Sequence, residues 1–397
     1  MAKKIKALVK PALLVWGRQS AGLSLEDAAS GVTKNPETLA AWEAGTASPS
    51  VPQLRKLAAK YKRPLAVFYL PAPPLDFQPL HDYRRLPGQV SGVLGARLRY
   101  EIRIAQERRN VSLDLYEEIG EEPPRFSLFT TLEAPTESLG ADIRRFLGVT
   151  FENQVTWRDA RTAYNTWRES IEAKGVLVFQ ISRVPIEEVR GLALAENVLP
   201  IIAVNAKDHV NGRTFSLLHE LVHVALRQSG ISDFSEFNDS DLRPSDERRI
   251  EIFCNEVAAA VLMPREIFLS EPLVAQNLGS QTWRDEDLDA LARQYSVSPE
   301  AILRRLLTLK RTSQTFYKEK RKDFLARYRC LAERDKDKSG GPPPHLAALG
   351  TFGYSFARLV LQTYYERRIT LSDVSGYLGL KIPYIAKLEN AAYGRAA

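Results

Sequence analysis

Between Thr214 and Gln228 the chain reads TFSLLHELVHVALRQ, and no other stretch restricts its fold as much. Leu217, Leu218, Leu221, Val222, Val224 and Leu226 surround three polar residues, His219, Glu220 and His223. A helix this apolar has to lie inside a domain, so the fold must take two imidazoles and a carboxylate into its interior with it. His219 and His223 are four apart, so they project from one face and can hold one metal ion. Zinc suits imidazole nitrogen and keeps a coordination position open when only three protein ligands are present. Glu220 sits next to the metal but points too far round to ligate easily. A carboxylate there can take a proton from a metal-activated water and pass it to a leaving amine. In the bland alternative two histidines simply lie in a core helix, and Glu220 is then buried without purpose.

A third protein ligand has to come from elsewhere. In SDERRIEIFCNEVAAAVLMP the candidates are Glu247, Glu251 and Glu256. Glu247 and Glu251 share a helix face with Asn255, whereas Glu256 lies more than a third of a turn round from Glu251. Ile252, Val257 and Ala260 mark the core side. The pattern favours Glu251 over Glu256 by a small margin, and His209, in a polar loop ahead of the first helix, is a further candidate. Upstream the period changes. Val176, Val178 and Ile181, then Gly191 to Ala195, then Ile201 to Val204 read as short strands broken by Pro185 and Pro200. The last of these is expected to offer an edge to an extended peptide.

The two ends of the chain read as small helical modules. Near the start, Ser24 fits as the cap of a short helix, with Asp27 where a full capping box would have Glu or Gln. Asn35 is expected to cap a helix opening with Pro36 and closing at Gly45, and Ser50 and Pro52 start the next. Near the end, ITLSDVSGYLGLKIPYIAKLE has the cadence of two helices joined by a turn at Gly379, with Ser372 as cap. Arg367, Arg368, Lys381 and Lys387 there could meet phosphate or merely solvate a small domain. A charged stretch from Lys318 to Lys338 and the run SGGPPP before His345 separate this module from the rest.

HELVH followed one helix-loop-helix later by EIFCNEVAAAVLMP resembles the ImmA/IrrE family of metallopeptidases. The resemblance implies His219, His223 and Glu251 as zinc ligands and Glu220 as the general acid/base. Cys254 stands where the family often has alanine and Val257 where phenylalanine is frequent, both on the packing side. GLSLEDAA, PETLAAWEAGTASPS and LRKLAAKYKRPLAVFYLP resemble the XRE-type helix-turn-helix found fused to this family. A helix-turn-helix that reads double-stranded DNA would put the helix of Pro36 to Ala44 in the major groove. Its outward residues are Lys34, Asn35, Glu37, Thr38 and Ala41, with Lys34, Asn35 and Thr38 as candidate contacts. One cation, one anion and no arginine make this a poor phosphate or guanine reader, so a docking module that no longer reads DNA is the alternative.

The fold class expected is mostly α with a small β-sheet (α+β). The expected domains are an XRE-type helix-turn-helix at 1–75, a connector with a helix at 76–137, and a zincin-like peptidase domain at 138–312. A charged helix and Gly/Pro linker at 313–344 and a helical module at 345–397 complete the chain. The resemblance implies a regulatory zinc endopeptidase with a narrow protein substrate, such as a repressor or antitoxin. A transcription regulator that binds zinc without turnover is the rival. The net charge of +7 permits an anionic partner. Two cysteines, Cys254 and Cys330, with no CxxC pair, fit a reducing compartment. No signal peptide and no apolar run long enough for a bilayer is found, so the expectation is a cytoplasmic protein with no membrane partner.

Overall fold

The computed structural model describes residues 6–74, 81–82, 95–232, 245–277, 281–324 and 341–394. The chain divides into two compact units, with the boundary between residues 104 and 105, inside a long helix.

The first unit holds α1 (Pro11–Ala21), α2 (Leu25–Ala29), α3 (Pro36–Glu43), α4 (Val51–Lys60), a 3-10 turn at Leu65–Tyr69, the two-residue strand β1 (His81–Asp82) and the start of α5 (Ala96–Ile119). Ser24 caps α2, its hydroxyl accepting the Asp27 N–H at 3.0 Å. Asn35 occupies the cap position of α3 but its side chain makes no capping bond, and Pro36 at the first turn needs none for its own nitrogen. The helix ends at Glu43, two residues short of Gly45. At α4 the Gln53 carboxamide oxygen accepts both the Ser50 N–H, at 2.9 Å, and its hydroxyl, at 2.8 Å. Leu13, Leu14, Leu39, Trp42, Leu54, Leu57 and Phe68 close the core. Arg18 grips Glu43 through two bonds of 2.8 and 2.9 Å and fastens the end of α1 to the end of α3.

The second unit begins with the rest of α5. Then come α6 (Thr136–Leu147), α7 (Phe151–Val155), α8 (Ala160–Glu172), β2 (Leu177–Ile181), β3 (Gly191–Leu194), β4 (Ile201–Asn205), α9 (Val210–Ala225), β5 (Gly230–Ser232) and α10 (Ser245–Leu262). Helices α11 (Arg265–Ser270), α12 (Pro272–Gln276), α13 (Asp285–Tyr295), α14 (Pro299–Thr308) and α15 (helical over 314–324) complete its larger part. The mostly helical chain with one small sheet is the class expected.

Within this unit the strands run in the order β5-β3-β4-β2. β4 pairs parallel with β2 on one side and antiparallel with β3 on the other. It is therefore an inner strand and offers no edge to a peptide, contrary to expectation. All five of its residues are buried, and the unbroken apolar run Ile201–Val204 is what a strand covered on both faces requires. β5, three residues long, is too short to leave a periodic trace in the sequence. Helix α9 packs on β3 and β4, flanked by α8 and α10. Every residue from Thr214 to Ala225 is buried, which explains its apolar circumference.

Four further helices, α16 (Pro344–Phe352), α17 (Tyr354–Tyr365), α18 (Leu371–Tyr377) and α19 (Ile385–Tyr393), dock on β2 and α8. A buried ion pair fastens them. Arg168 Nε meets Glu172 Oε1 at 2.8 Å, with each side chain 1% exposed. The guanidinium also donates to the carbonyls of Leu349, Gly350 and Val178, while Glu172 Oε2 accepts the N–H groups of Tyr354 and Ser355 at the start of α17, each at 2.9 Å. Gly353, at φ +86°, is required here: a β-carbon would lie 2.9 Å from the Val178 carbonyl and 3.0 Å from Arg168 Nη2. Thr370, not Ser372, caps α18, because its hydroxyl and the Asp373 carboxylate bond reciprocally to the backbone while Ser372 lies in the first turn.

Candidate metal centre

Two buried helices bring the polar residues of the first motif together with one glutamate of the second. His219 and His223 stand one turn apart on α9, and Glu251 faces them from α10. His219 Nε2 and His223 Nε2 are 3.1 Å apart, and they lie 3.3 and 3.2 Å from Glu251 Oε2 and Oε1. The two imidazole nitrogens thus stand side by side, and each faces a different oxygen of the same carboxylate. Ligands bonded at about 2.0 Å in a tetrahedron stand about 3.3 Å apart, so these spacings are close to those of ligands that share one ion. The donor set and its spacing fit a divalent cation, and His219, His223 and Glu251 form the metal-competent cluster of the described residues.

Their surroundings orient them. His219 Nδ1–H donates to Asn255 Oδ1 at 3.0 Å, which fixes the tautomer and turns the Nε2 lone pair toward the cluster. Asn255 is one turn beyond Glu251 on α10, so ligand and orienting amide share a face. The buried Cys254 thiol interacts electrostatically with His223, so the departure at this position touches the site and is more than packing. Burial pushes His219 below its ordinary value and so favours the neutral imidazole that a metal needs. Burial opposes ionisation of Glu251, yet His219 and His223 outweigh it and hold the carboxyl below the usual carboxylate range. The Cys254 thiol is pushed up by burial.

Glu220 follows His219 directly and is wholly buried. Its carboxylate is packed against the backbone of β3 at Gly191, where an added β-carbon would lie 2.8 Å from Glu220 Cγ and 2.9 Å from Cδ. Sequence reasoning missed Gly191 because its requirement comes from a strand and a helix meeting in space.

The other candidates fall elsewhere. His209 is the cap of α9, its ring nitrogen accepting the Asn211 N–H. Glu256 is half-buried on the side of Arg305, away from the histidines. The side chain of Glu247 and all of Cys330 lie outside the described residues. Lys34 and Asn35, ahead of α3, and Thr38 in its first turn are exposed. Among the described residues no helix is long and apolar enough to cross a membrane.

A helix-turn-helix ahead of a buried His-His-Glu cluster beside a small sheet defines a metallopeptidase-like regulator. Residues 16–68 match the helix-turn-helix family model, and residues 171–307 match that of the IrrE N-terminal-like domain, a peptidase domain. The chain therefore carries these two domains in that order. No curated protein and no solved structure matches it.

Proposed function

We propose that the second unit is a zinc endopeptidase that cuts a particular protein, such as a repressor or antitoxin. The helix-turn-helix unit would bring it to DNA or to a partner. The observation that carries this reading is the convergence of both imidazole nitrogens and the Glu251 carboxylate at 3.1–3.3 Å, with Glu220 adjoining them on the same buried helix as the histidines. His219, His223 and Glu251 would hold the ion. When bound, zinc polarises the scissile carbonyl and lowers the pKa of the attacking water. Glu220 accepts the proton of that water and delivers it to the leaving amine. Asn255 keeps the His219 ring in the ligating tautomer, and Gly191 sets how closely the sheet approaches the Glu220 carboxylate. Lys34 and Asn35, just ahead of α3, and Thr38 in its first turn are the residues that would face double-stranded DNA.

Complete burial of Glu220 favours a second reading, a zinc-containing regulator without turnover. Glu220→Gln separates the two, since it keeps the ligands and removes the base. Cells carrying the wild type should contain a protein fragment that is missing with Glu220→Gln. The same fragments and phenotype with both would leave the enzymatic reading without support.

A further inference from the structure

The last helices of the chain repeat the helix-turn-helix of the first unit. Residues 24–45 and 370–391 align without a gap, Ser24 on Thr370. Both positions are helix caps whose hydroxyl accepts the N–H of an aspartate three residues on, Asp27 and Asp373. Leu25 and Leu371 each open the helix that follows, α2 and α18. Ala28 and Val374 are buried, as are Leu39 and Ile385, and Trp42 and Leu388. Pro36 begins α3, and its counterpart Ile382 begins the 3-10 turn that runs on into α19. The glutamates correspond as well. Arg18 near the end of α1 holds Glu43, while the hydroxyl of Tyr365 at the end of α17 donates to Glu389 at 2.7 Å. Arg358 of α17 donates to the Ala392 carbonyl at 2.9 and 2.7 Å and closes the far end of α19. Helix order, caps, core positions and the inter-helix tie thus coincide, although the helix-turn-helix family match covers the first copy alone.

The two copies differ on their outward face. Where the first has Asn35, Thr38 and Ala41, the second has Lys381, Tyr384 and Lys387. Lys381 precedes the 3-10 turn, Tyr384 ends it and Lys387 lies in the first turn of α19 beside the buried Ile385 and Leu388, so the three cluster at the start of the helix that would enter a groove. Arg367 and Arg368 stand in the turn before α18. All four cations are exposed, and none is engaged in an ion pair among the described residues. The acids nearby are occupied: Asp373 accepts the Thr370 N–H at 2.8 Å, Glu389 is held by Tyr365, and Glu366, next to Arg367, accepts the Gln362 amide at 3.0 Å.

We propose that residues 354–393 form a second helix-turn-helix that binds double-stranded DNA. Lys381 and Lys387 reach the groove and its phosphates, and Arg367 and Arg368 meet the flanking backbone. The proposal rests on the fold of the first copy and on neither its DNA binding nor the peptidase reading.

The test is fluorescence anisotropy of the full chain on a labelled mixed-sequence duplex over a salt series. Lys381→Gln with Lys387→Gln should weaken binding about tenfold at low salt and lower the slope of log K against log salt by about two. Arg367→Gln with Arg368→Gln should act alike, with melting midpoints unchanged because all four side chains are exposed. Lys34→Gln should lower the slope by no more than about one, which separates the second copy from the first. Wild-type affinity and slope in both double variants would overturn the proposal. So would loss of binding with Lys34→Gln alone, or variants that change the mass of the chain by light scattering and leave duplex binding intact.

Discussion

Glu172→Gln tests the docking of the C-terminal helices because it keeps the shape of the side chain and removes its charge. Arg168 would remain, with both side chains originally 1% exposed, as a buried cation without its carboxylate. Breaking a buried pair by removing one partner costs about 3–5 kcal/mol. Three carbonyls, those of Leu349, Gly350 and Val178, would still face the guanidinium and place the value near the lower end. The new amide would add its own cost, since its NH2 group must confront either Arg168 or the N–H groups of Tyr354 and Ser355. At about 3 kcal/mol and about 2–4 °C per kcal/mol, the melting transition of the second unit should fall by roughly 6–12 °C. The assay is scanning calorimetry, paired with limited proteolysis ahead of α16. Arg168→Met combined with Glu172→Leu should be less stable still, because the Gly350 and Val178 carbonyls and the Tyr354 and Ser355 N–H groups would lose these side-chain partners at about 1–3 kcal/mol each, while the Leu349 carbonyl keeps the Gly353 N–H. A wild-type midpoint in Glu172→Gln, or full stability in the double variant, would refute the reasoning.

Three further outcomes are expected. Gly191→Ala should retain zinc but lose more than about tenfold in cleavage rate, since a β-carbon displaces the Glu220 carboxylate; unchanged cleavage would show that Glu220 has room to move. Asn255→Ala should weaken zinc binding by about 10–100-fold in competition with a chromophoric chelator, because the His219 tautomer is no longer fixed. Metal-free protein should lose stability as pH falls below about 6.5, the ordinary histidine value, because burial lowers the folded pKa of His219 and the unfolded chain takes the proton first. The loss should run down to that lower folded value, and urea midpoints across the range would check it.

How much the sequence disclosed depended on whether the determinant was local. Ser24, Pro36 and Ser50 announce their helices through capping chemistry that acts within one turn, and the structure starts helices there. The histidine pair and its apolar surroundings are likewise a property of one helix. Glu251 was separable from Glu256 only weakly by periodicity, because the choice depends on which side of α10 meets α9. The role of β4 as an inner strand, the contact of Gly191 with Glu220 and the link from Arg168 to residues 349–355 all join distant segments. No periodic pattern encodes such meetings. Ser372 and Thr370 are both hydroxyl residues near the helix start, and only the reciprocal bond with Asp373 distinguishes the cap.

Everything proposed for the second unit depends on two imidazoles and the Glu251 carboxylate converging to hold a metal. Its most direct test is the metal content of chain purified without added metal, measured by plasma mass spectrometry. The wild type and Glu220→Gln should each carry about one zinc per chain, the number one such cluster can hold, and His219→Ala, His223→Ala and Glu251→Ala should carry almost none. Zinc retained in all three ligand variants, or a wild type that takes up no zinc even when it is supplied, would contradict the account.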